Sequence, residues 1–170
     1  MRKGMLHVLL RAMFCLLALV LTFSLSACAK GSVADDVPLS SLVSRTREVL
    51  ASDMTYSEVD VSYLADYFSA PDYIQNAVIL RADIGNDLDE VGFFHVQDGN
   101  ADAMRALVSD YLARSYEQNK SWYDSYIPHQ TPKLRDARVT VIGNYVFYTI
   151  LDADDREDVI EAIKAELKLK

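Results

Sequence analysis

The feature that most constrains the fold of this chain is a two-residue turn, Gly143-Asn144, between two runs of β-prone residues. Asparagine and glycine favour the tight turns that join antiparallel strands, because both tolerate a positive φ angle. We therefore expect residues 137–142 and 145–151 to form a β-hairpin. The acidic residues 152–155 then end the second strand and begin a C-terminal helix with apolar residues at helical spacing. Those residues are Val159, Ile160, Ile163 and Leu167.

The same order of elements is predicted once before in the chain. Residues 74–82 and 91–96 are β-prone, and the turn residues 83–88 between them centre on Gly85-Asn86. A long amphipathic helix is predicted over residues 101–123. The two halves show no sequence identity that would prove duplication, so the repeat is one of pattern only.

Two shorter helices are predicted ahead of the hairpins. Apolar residues at i, i+3 and i+4 spacing indicate an amphipathic helix over residues 39–50. A second helix is predicted over residues 61–68, with Asp60 as its N-cap. The order αα-ββα-ββα predicts an α+β fold, in which helices pack on one face of a four-stranded antiparallel sheet.

The N-terminus has the composition of an export signal. Arg2, Lys3 and Arg11 precede an apolar run over residues 13–23, and small residues follow it at Leu25-Ser26-Ala27-Cys28. A transmembrane helix fits poorly, because polar residues interrupt the end of the run and no basic cluster follows. A plain secretory signal, cleaved at the same small residues, stays open as an alternative.

The tetrapeptide 25–28 resembles the lipobox of bacterial lipoproteins. The resemblance implies that the Cys28 thiol receives a diacylglyceryl group, that the chain is cleaved before it, and that the new N-terminus is acylated, for example with palmitate. We therefore expect a signal peptide over residues 1–27, a lipidated tether over 28–38 and a single α+β domain over 39–170. The expected location is the extracytoplasmic face of the cell membrane.

Charge and cysteine content limit the function further. Cleavage would lower the net charge from −8 to −11, since residues 1–27 contain three basic residues and no acidic one. Such a surface argues against binding to nucleic acid or to anionic lipids, so the acyl chains must supply the membrane affinity. Cys15 leaves with the signal and Cys28 carries the lipid, so we expect no disulfide, no zinc–thiolate site, no thiol nucleophile and no cofactor.

Four stretches together resemble a family of small lipoproteins, mostly from Gram-positive bacteria, that is classed as a domain of unknown function. The resemblance extends from about residue 61 to the C-terminus. Because the family has no established activity, it supplies no catalytic residues to assign to this chain. The stretches are Asp89-Glu90-Val91-Gly92-Phe93-Phe94, Arg114 with Gln118, Tyr126-Ile127-Pro128 and Gly143-Asn144-Tyr145-Val146.

The ionisable residues indicate little chemistry. His95 and His129 lack the spacing of zinc ligands, and the acidic run 152–158 lacks the glycine and the glutamate of an EF-hand loop. An irregular, weak calcium site at the acidic first turn stays open. A carboxylate pair such as Glu90 with Asp124 would suit acid–base work on a glycan, although the sequence does not bring the two together.

Aromatic residues cluster near the end of the long helix. Surface rings there would stack on sugars or on peptide side chains, whereas buried rings would pack the helix end against the sheet. Both interpretations stay open, and the rings are candidates for ligand binding. They belong to Tyr116, Trp122, Tyr123 and Tyr126.

Together these features favour a non-enzymatic binding or accessory lipoprotein of the cell envelope. The expected partner is a peptide, a glycan or a neighbouring membrane protein, and not a nucleic acid. The alternative is a small cell-wall hydrolase that uses carboxylates. The sequence contains no nucleophile motif and no metal motif, which favours the binding protein over the hydrolase.

Overall fold

The computed structural model describes residues 34, 36–50, 54–83, 85 and 87–167. The predicted signal peptide, Cys28 and most of the predicted tether lie outside these residues. The described residues belong to one compact unit. Within the described residues, no helix is both long enough and apolar enough to cross a membrane.

The described chain is an α+β fold built around one antiparallel sheet. Its elements, in chain order, are helix α1 (Leu39–Val49), strand β1 (Tyr56–Val59), a 3₁₀-helix (Val61–Leu64), strands β2 (Ile74–Ala82) and β3 (Glu90–Val96), helices α2 (Ala101–Tyr126) and α3 (Thr131–Arg135), strands β4 (Arg138–Ile142) and β5 (Tyr145–Ile150), and helix α4 (Ala153–Leu167).

The sheet has five strands in the order β1-β2-β3-β5-β4, so the prediction of four strands was wrong. The additional strand, β1, pairs with β2 from Tyr56 opposite Ala82 to Val59 opposite Ile79. It is only four residues long and exposes its two central residues. So short an edge strand has too few residues to show the alternation of buried and exposed positions by which strands are recognised.

Helices cover both faces of the sheet, which corrects the prediction of helices on one face. Val91 and Phe93 of β3 share a core cluster with residues of α1 and α4. Phe94 and Val96 share a second cluster with residues of α2 and the 3₁₀-helix. The physical reason is that the central strands β3 and β5 are buried along almost their whole length, and strands buried on both sides need helices on both sides.

The prediction of two N-terminal helices was wrong as well. The first forms as α1, but residues 61–68 contain only a short 3₁₀-helix, separated from α1 by β1. Asp60 does cap this helix, because its carboxylate accepts a hydrogen bond from the Ser62 N–H at 2.9 Å. Helix α2 continues three residues beyond its predicted end, to Tyr126, and the short helix α3 that follows it was not predicted.

Both predicted hairpins form. β2 pairs with β3, and β4 pairs with β5 through the Gly143-Asn144 turn. At this turn Gly143 has a φ of 57°, whereas Asn144 does not adopt a positive φ. A positive φ at the first central residue alone is typical of a type II′ turn, so glycine is needed at only one of the two positions.

Candidate functional site

A buried carboxylate, that of Glu90, lies at the centre of the candidate site. Glu90 begins β3, pairs with Arg81 of β2 and Ile150 of β5, and is 5 % exposed. Its Oε1 accepts hydrogen bonds from the Tyr111 hydroxyl at 2.9 Å and the Tyr148 hydroxyl at 2.5 Å. Because an unpaired buried carboxylate is strongly unfavourable, these two donors are what allow it to remain in the core.

Gly92 makes room for one of these donors. In the sheet Gly92 lies directly opposite Tyr148, and a Cβ atom at Gly92 would lie 2.0 Å from Cε1 of the tyrosine ring. The ring therefore lies across the glycine and brings its hydroxyl to Glu90. An isolated glycine in a strand often marks such a close approach. Glu90 and Gly92 of the family-like stretch thus act together: the glycine makes room for the Tyr148 ring, and the glutamate accepts the hydrogen bond from its hydroxyl.

Burial and hydrogen bonding shift the pKa of Glu90 in opposite directions. Burial raises the pKa of Glu90, while the hydroxyls of Tyr148 and Tyr111 and the charge of Arg81 partly lower it. Burial and the nearby Glu90 carboxyl also raise the pKa of Tyr63, to about 12. Glu90 therefore takes up a proton at a higher pH than an exposed glutamate does.

A second polar cluster adjoins the first. Lys133 of α3 is buried, and its Nζ lies 2.5 Å from Asp89 Oδ1, 3.1 Å from Asp87 Oδ1 and 3.5 Å from Asp152 Oδ2. Tyr56 of the edge strand donates a hydrogen bond to Asp89 Oδ2 at 3.1 Å. The cluster ties β1 and α3 to the start of β3.

The two aspartates of this cluster titrate differently. Burial raises the pKa of Asp89 despite the opposing hydrogen bond from Lys133. Asp87 is less buried, and although burial pushes its pKa upward, the Asp89 N–H and Lys133 lower it by more. Burial lowers the pKa of Lys133, but its hydrogen bonds and charge interactions with Asp89 and Asp87 together raise it by more, so it stays charged.

A pocket of about 130 Å³ opens beside these clusters. It lies between the 3₁₀-helix, the start of β3 and α2. Four tyrosine rings, three carboxyl groups and one guanidinium group line it, together with Leu88, Ser115, Leu134 and Ile150. The rings belong to Tyr63, Tyr67, Tyr111 and Tyr123, the carboxyls to Asp87, Asp89 and Glu90, and the guanidinium to Arg81.

The structure brings together three of the four aromatic residues that the sequence singled out. Trp122 is 50 % exposed and Tyr126 71 % exposed, with their ring centroids 5.2 Å apart. The Trp122 ring also contacts the ring of Tyr123 at 5.5 Å, and Tyr123 lines the pocket. Tyr116 lies apart from these three, in a groove of about 340 Å³ beside α3 and β4.

The carboxylate pair suggested by the sequence is not brought together. Glu90 lines the pocket, whereas Asp124 is exposed on α2 and is not among the lining residues. The carboxyls that accompany Glu90 are Asp87 and Asp89. The acidic first turn in the sequence already contains these carboxyls, but sequence reasoning missed their partners Tyr111, Tyr148 and Lys133. The one local signal of the Tyr148 contact is the lone glycine at position 92.

In the part of the chain that the structure describes, no group of three or more His, Cys, Asp or Glu side chains is arranged to hold a metal ion. His95 lies on β3 with its ring stacked on that of Tyr145, at a centroid distance of 4.5 Å.

Comparison with known proteins identifies a family. The model of a family described as a domain of unknown function, DUF4358, matches residues 53–151, which is more than half of the chain. The matched segment contains the four family-like stretches, the five strands and every residue that lines the pocket. No curated protein matches the chain, and no solved structure matches it.

Proposed function

The chain belongs to the DUF4358 family of domains of unknown function, and we propose that it is a membrane-anchored, extracytoplasmic lipoprotein that binds a ligand of the cell envelope without transforming it. The observation that carries the proposal is the tyrosine-lined pocket with the buried Glu90 carboxyl. Ligand sites are typically concave and combine rings with a few polar groups.

The anchor follows from the resemblance of residues 25–28 to a lipobox. The Ala34 N–H donates a hydrogen bond to the carbonyl of Leu167 at the end of α4. Residue 28 lies six residues before residue 34, and an extended chain spans at most about 3.3–3.6 Å per residue, so a lipid on Cys28 would hold this end of the domain within about 22 Å of the bilayer surface. An acidic domain kept this close relies on its acyl chains for attachment.

Two measurements test the anchor. Intact-mass spectrometry of the chain purified from membranes should show cleavage before Cys28 and the added mass of the lipid. Cys28→Ala should move the protein out of the membrane fraction. An unmodified Cys28, or a Cys28→Ala chain that remains in the membrane, would refute this part of the proposal.

The binding role rests on the way aromatic rings connect the surface to the pocket. Tyr126 and Trp122 are exposed, Trp122 contacts Tyr123, and Tyr123 lines the pocket. Rings at a rim can stack on a sugar or on a peptide side chain while its polar end enters the pocket. The exposed pair would then form the first contact with the ligand.

Calorimetric titration with soluble cell-wall fragments and with envelope peptides tests this role. We expect saturable heat with the wild-type chain and weaker binding by Tyr126→Ala, which should leave the urea unfolding midpoint unchanged. Arg105→Ala, on another exposed part of α2, serves as the surface control. If Tyr126→Ala binds as well as wild type, the exposed rings are not part of the site.

One observation favours hydrolysis as the second candidate. Asp87, Asp89 and Glu90 line the same pocket, and the raised pKa of Glu90 is a property of a general acid. Glu90→Gln separates the candidates, because an amide keeps an Oε1 acceptor for Tyr111 and Tyr148 but transfers no proton. If the wild-type chain releases products from cell-wall material and Glu90→Gln does not, the protein is a hydrolase and the binding-only proposal is wrong.

A further inference from the structure

We propose that the pocket binds a primary ammonium group, which lies among the tyrosine rings and donates hydrogen bonds to Glu90 and Asp87. This inference rests on the proposed binding function and names the chemistry of the ligand. The amine would be a small molecule or the end of a larger one. Three properties of the pocket support it: its charges, its hydrogen-bond acceptors and its rings.

The charges of the pocket leave an excess of carboxyl groups. Three of them, Asp87, Asp89 and Glu90, line it, and the ammonium of Lys133 is already shared between the two aspartates. Arg81 is the cation opposite Glu90 in the sheet register. A ligand that brings one more positive charge would therefore improve the balance of charge in this partly buried site.

The three carboxylates that line the pocket are acceptors only. A carboxylate offers about four acceptor positions, and Oε1 of Glu90 takes donors from Tyr111 and Tyr148. Asp87 accepts from the Asp89 N–H, from Lys133 and, at 3.4 Å, from Gln130. A ligand that donates several hydrogen bonds suits such a site, and a primary ammonium has three donors and no acceptor.

The tyrosine rings suit a cation as well. The Arg81 guanidinium already lies over the face of the Tyr63 ring, 4.6 Å from its centroid. Ring faces carry partial negative charge and attract cations, and cages of aromatic rings bind amines in this way. The remaining rings, of Tyr67, Tyr111 and Tyr123, line the space next to this pair.

The volume of the pocket limits the part of the ligand that enters. About 130 Å³ corresponds to roughly four water molecules, at about 30 Å³ for each. An aminoethyl group has this size, whereas a whole sugar ring does not. A larger ligand would insert its amine and leave its remainder against Trp122 and Tyr126.

Ethanolamine, ethylene glycol and choline make a matched set of probes. Ethylene glycol has the size of ethanolamine without its charge, and choline has the charge without the N–H donors. The full chain would be titrated in a maltoside detergent and phosphate buffer, which contains no competing amine. The fluorescence of Trp122, the single tryptophan of the chain, reports through its contact with Tyr123.

We expect ethanolamine to bind at least about tenfold more tightly than ethylene glycol and more tightly than choline. Glu90→Gln should weaken ethanolamine binding about tenfold or more, and Glu117→Gln, the same substitution on the exposed face of α2, should leave it unchanged. Asp87→Asn provides a second site variant with the same expectation. Arg81→Gln should tighten binding several-fold, because it removes a like charge.

The outcomes separate this inference from the function on which it rests. If ethanolamine and ethylene glycol bind equally well, or if Arg81→Gln binds ethanolamine more weakly than wild type does, the pocket is not an ammonium site. Its ligand would then be neutral or anionic. If wall fragments bind saturably but ethanolamine does not bind, the ammonium site is refuted and the proposed binding function stands. If neither ethanolamine nor the wall fragments and envelope peptides bind, the ammonium site and the binding function are both refuted. Vesicles with phosphatidylethanolamine and a lysine-containing peptide then show whether the amine belongs to a lipid or a protein.

Discussion

Replacing Gly92 by alanine would place a methyl group where the ring of Tyr148 lies. The added Cβ would be 2.0 Å from Cε1, 2.6 Å from Cζ and 2.8 Å from Cδ1 of that ring. Carbon atoms in contact prefer about 3.5–4.0 Å, so the ring would have to move by about 1.5 Å. Tyr148 is fully buried, and its ring packs against those of Tyr111 and Phe94, so it has no free space to enter.

The expected loss of stability has two contributions. Forcing the methyl group into this packed region costs about 1–3 kcal/mol. Moving the Tyr148 hydroxyl away from Glu90 breaks a buried hydrogen bond and costs about 1–3 kcal/mol more. Alanine is better than glycine in a strand by about 0.5–1 kcal/mol. We therefore expect Gly92→Ala to lower the free energy of unfolding by about 1–5 kcal/mol, with a middle value of about 3 kcal/mol.

Urea unfolding followed by circular dichroism measures this change. Gly85→Ala is the matched control, because a Cβ there meets no atom within 4 Å, and it should leave stability unchanged within about 0.5 kcal/mol. In a Tyr148→Val background, alanine at position 92 faces an ordinary strand residue, so its cost should nearly vanish. An equal cost in both backgrounds would show that the ring contact is not the cause.

Three further changes test the polar clusters. Lys133→Met leaves Asp87 and Asp89 without their buried cation and should destabilise the fold by about 3–5 kcal/mol at neutral pH. Urea unfolding at successively lower pH should show a smaller loss, because burial raises the pKa of Asp89 and its protonation removes the unpaired charge. Glu90→Gln should gain stability relative to wild type as pH rises above about 4. The reason is that the raised pKa of Glu90 stabilises the wild-type fold at low pH, and this stability is lost as the folded protein releases the proton. A difference in the free energy of unfolding between the two chains that stays constant from about pH 4 to 8 would contradict this. Tyr148→Phe should cost about 1–3 kcal/mol, whereas Tyr126→Phe, on an exposed ring, should cost less than about 0.5 kcal/mol, as scanning calorimetry would show.

The sequence predicted the elements that depend on neighbouring residues. The turn at Gly143-Asn144 joins β4 to β5, and the acidic residues after β5 precede α4. Each prediction used turn preferences or helical spacing within about a dozen residues. The Asp60 cap formed for the same reason, because it needs only the N–H of Ser62 two residues away.

The errors in the fold arose where tertiary contacts decide. Strand β1 is held by pairing with β2 and by the bond from Tyr56 to Asp89, 33 residues away. Helices lie on both faces because β3 and β5 are apolar on both sides, yet a short apolar run does not by itself show which elements cover it. The 3₁₀-helix replaced a longer helix, as the chain must turn from β1 into β2.

The site was harder to predict than the fold because its groups come from distant parts of the chain. Glu90 is 21 residues from Tyr111 and 58 from Tyr148, and Asp89 is 44 residues from Lys133. A single sequence contains no information on which tyrosine among ten reaches which carboxyl. The one local trace is Gly92, since a glycine inside a buried strand weakens that strand unless another group uses the space. That space is occupied by the Tyr148 ring, so the glycine and the buried glutamate two residues before it belong to one structural unit.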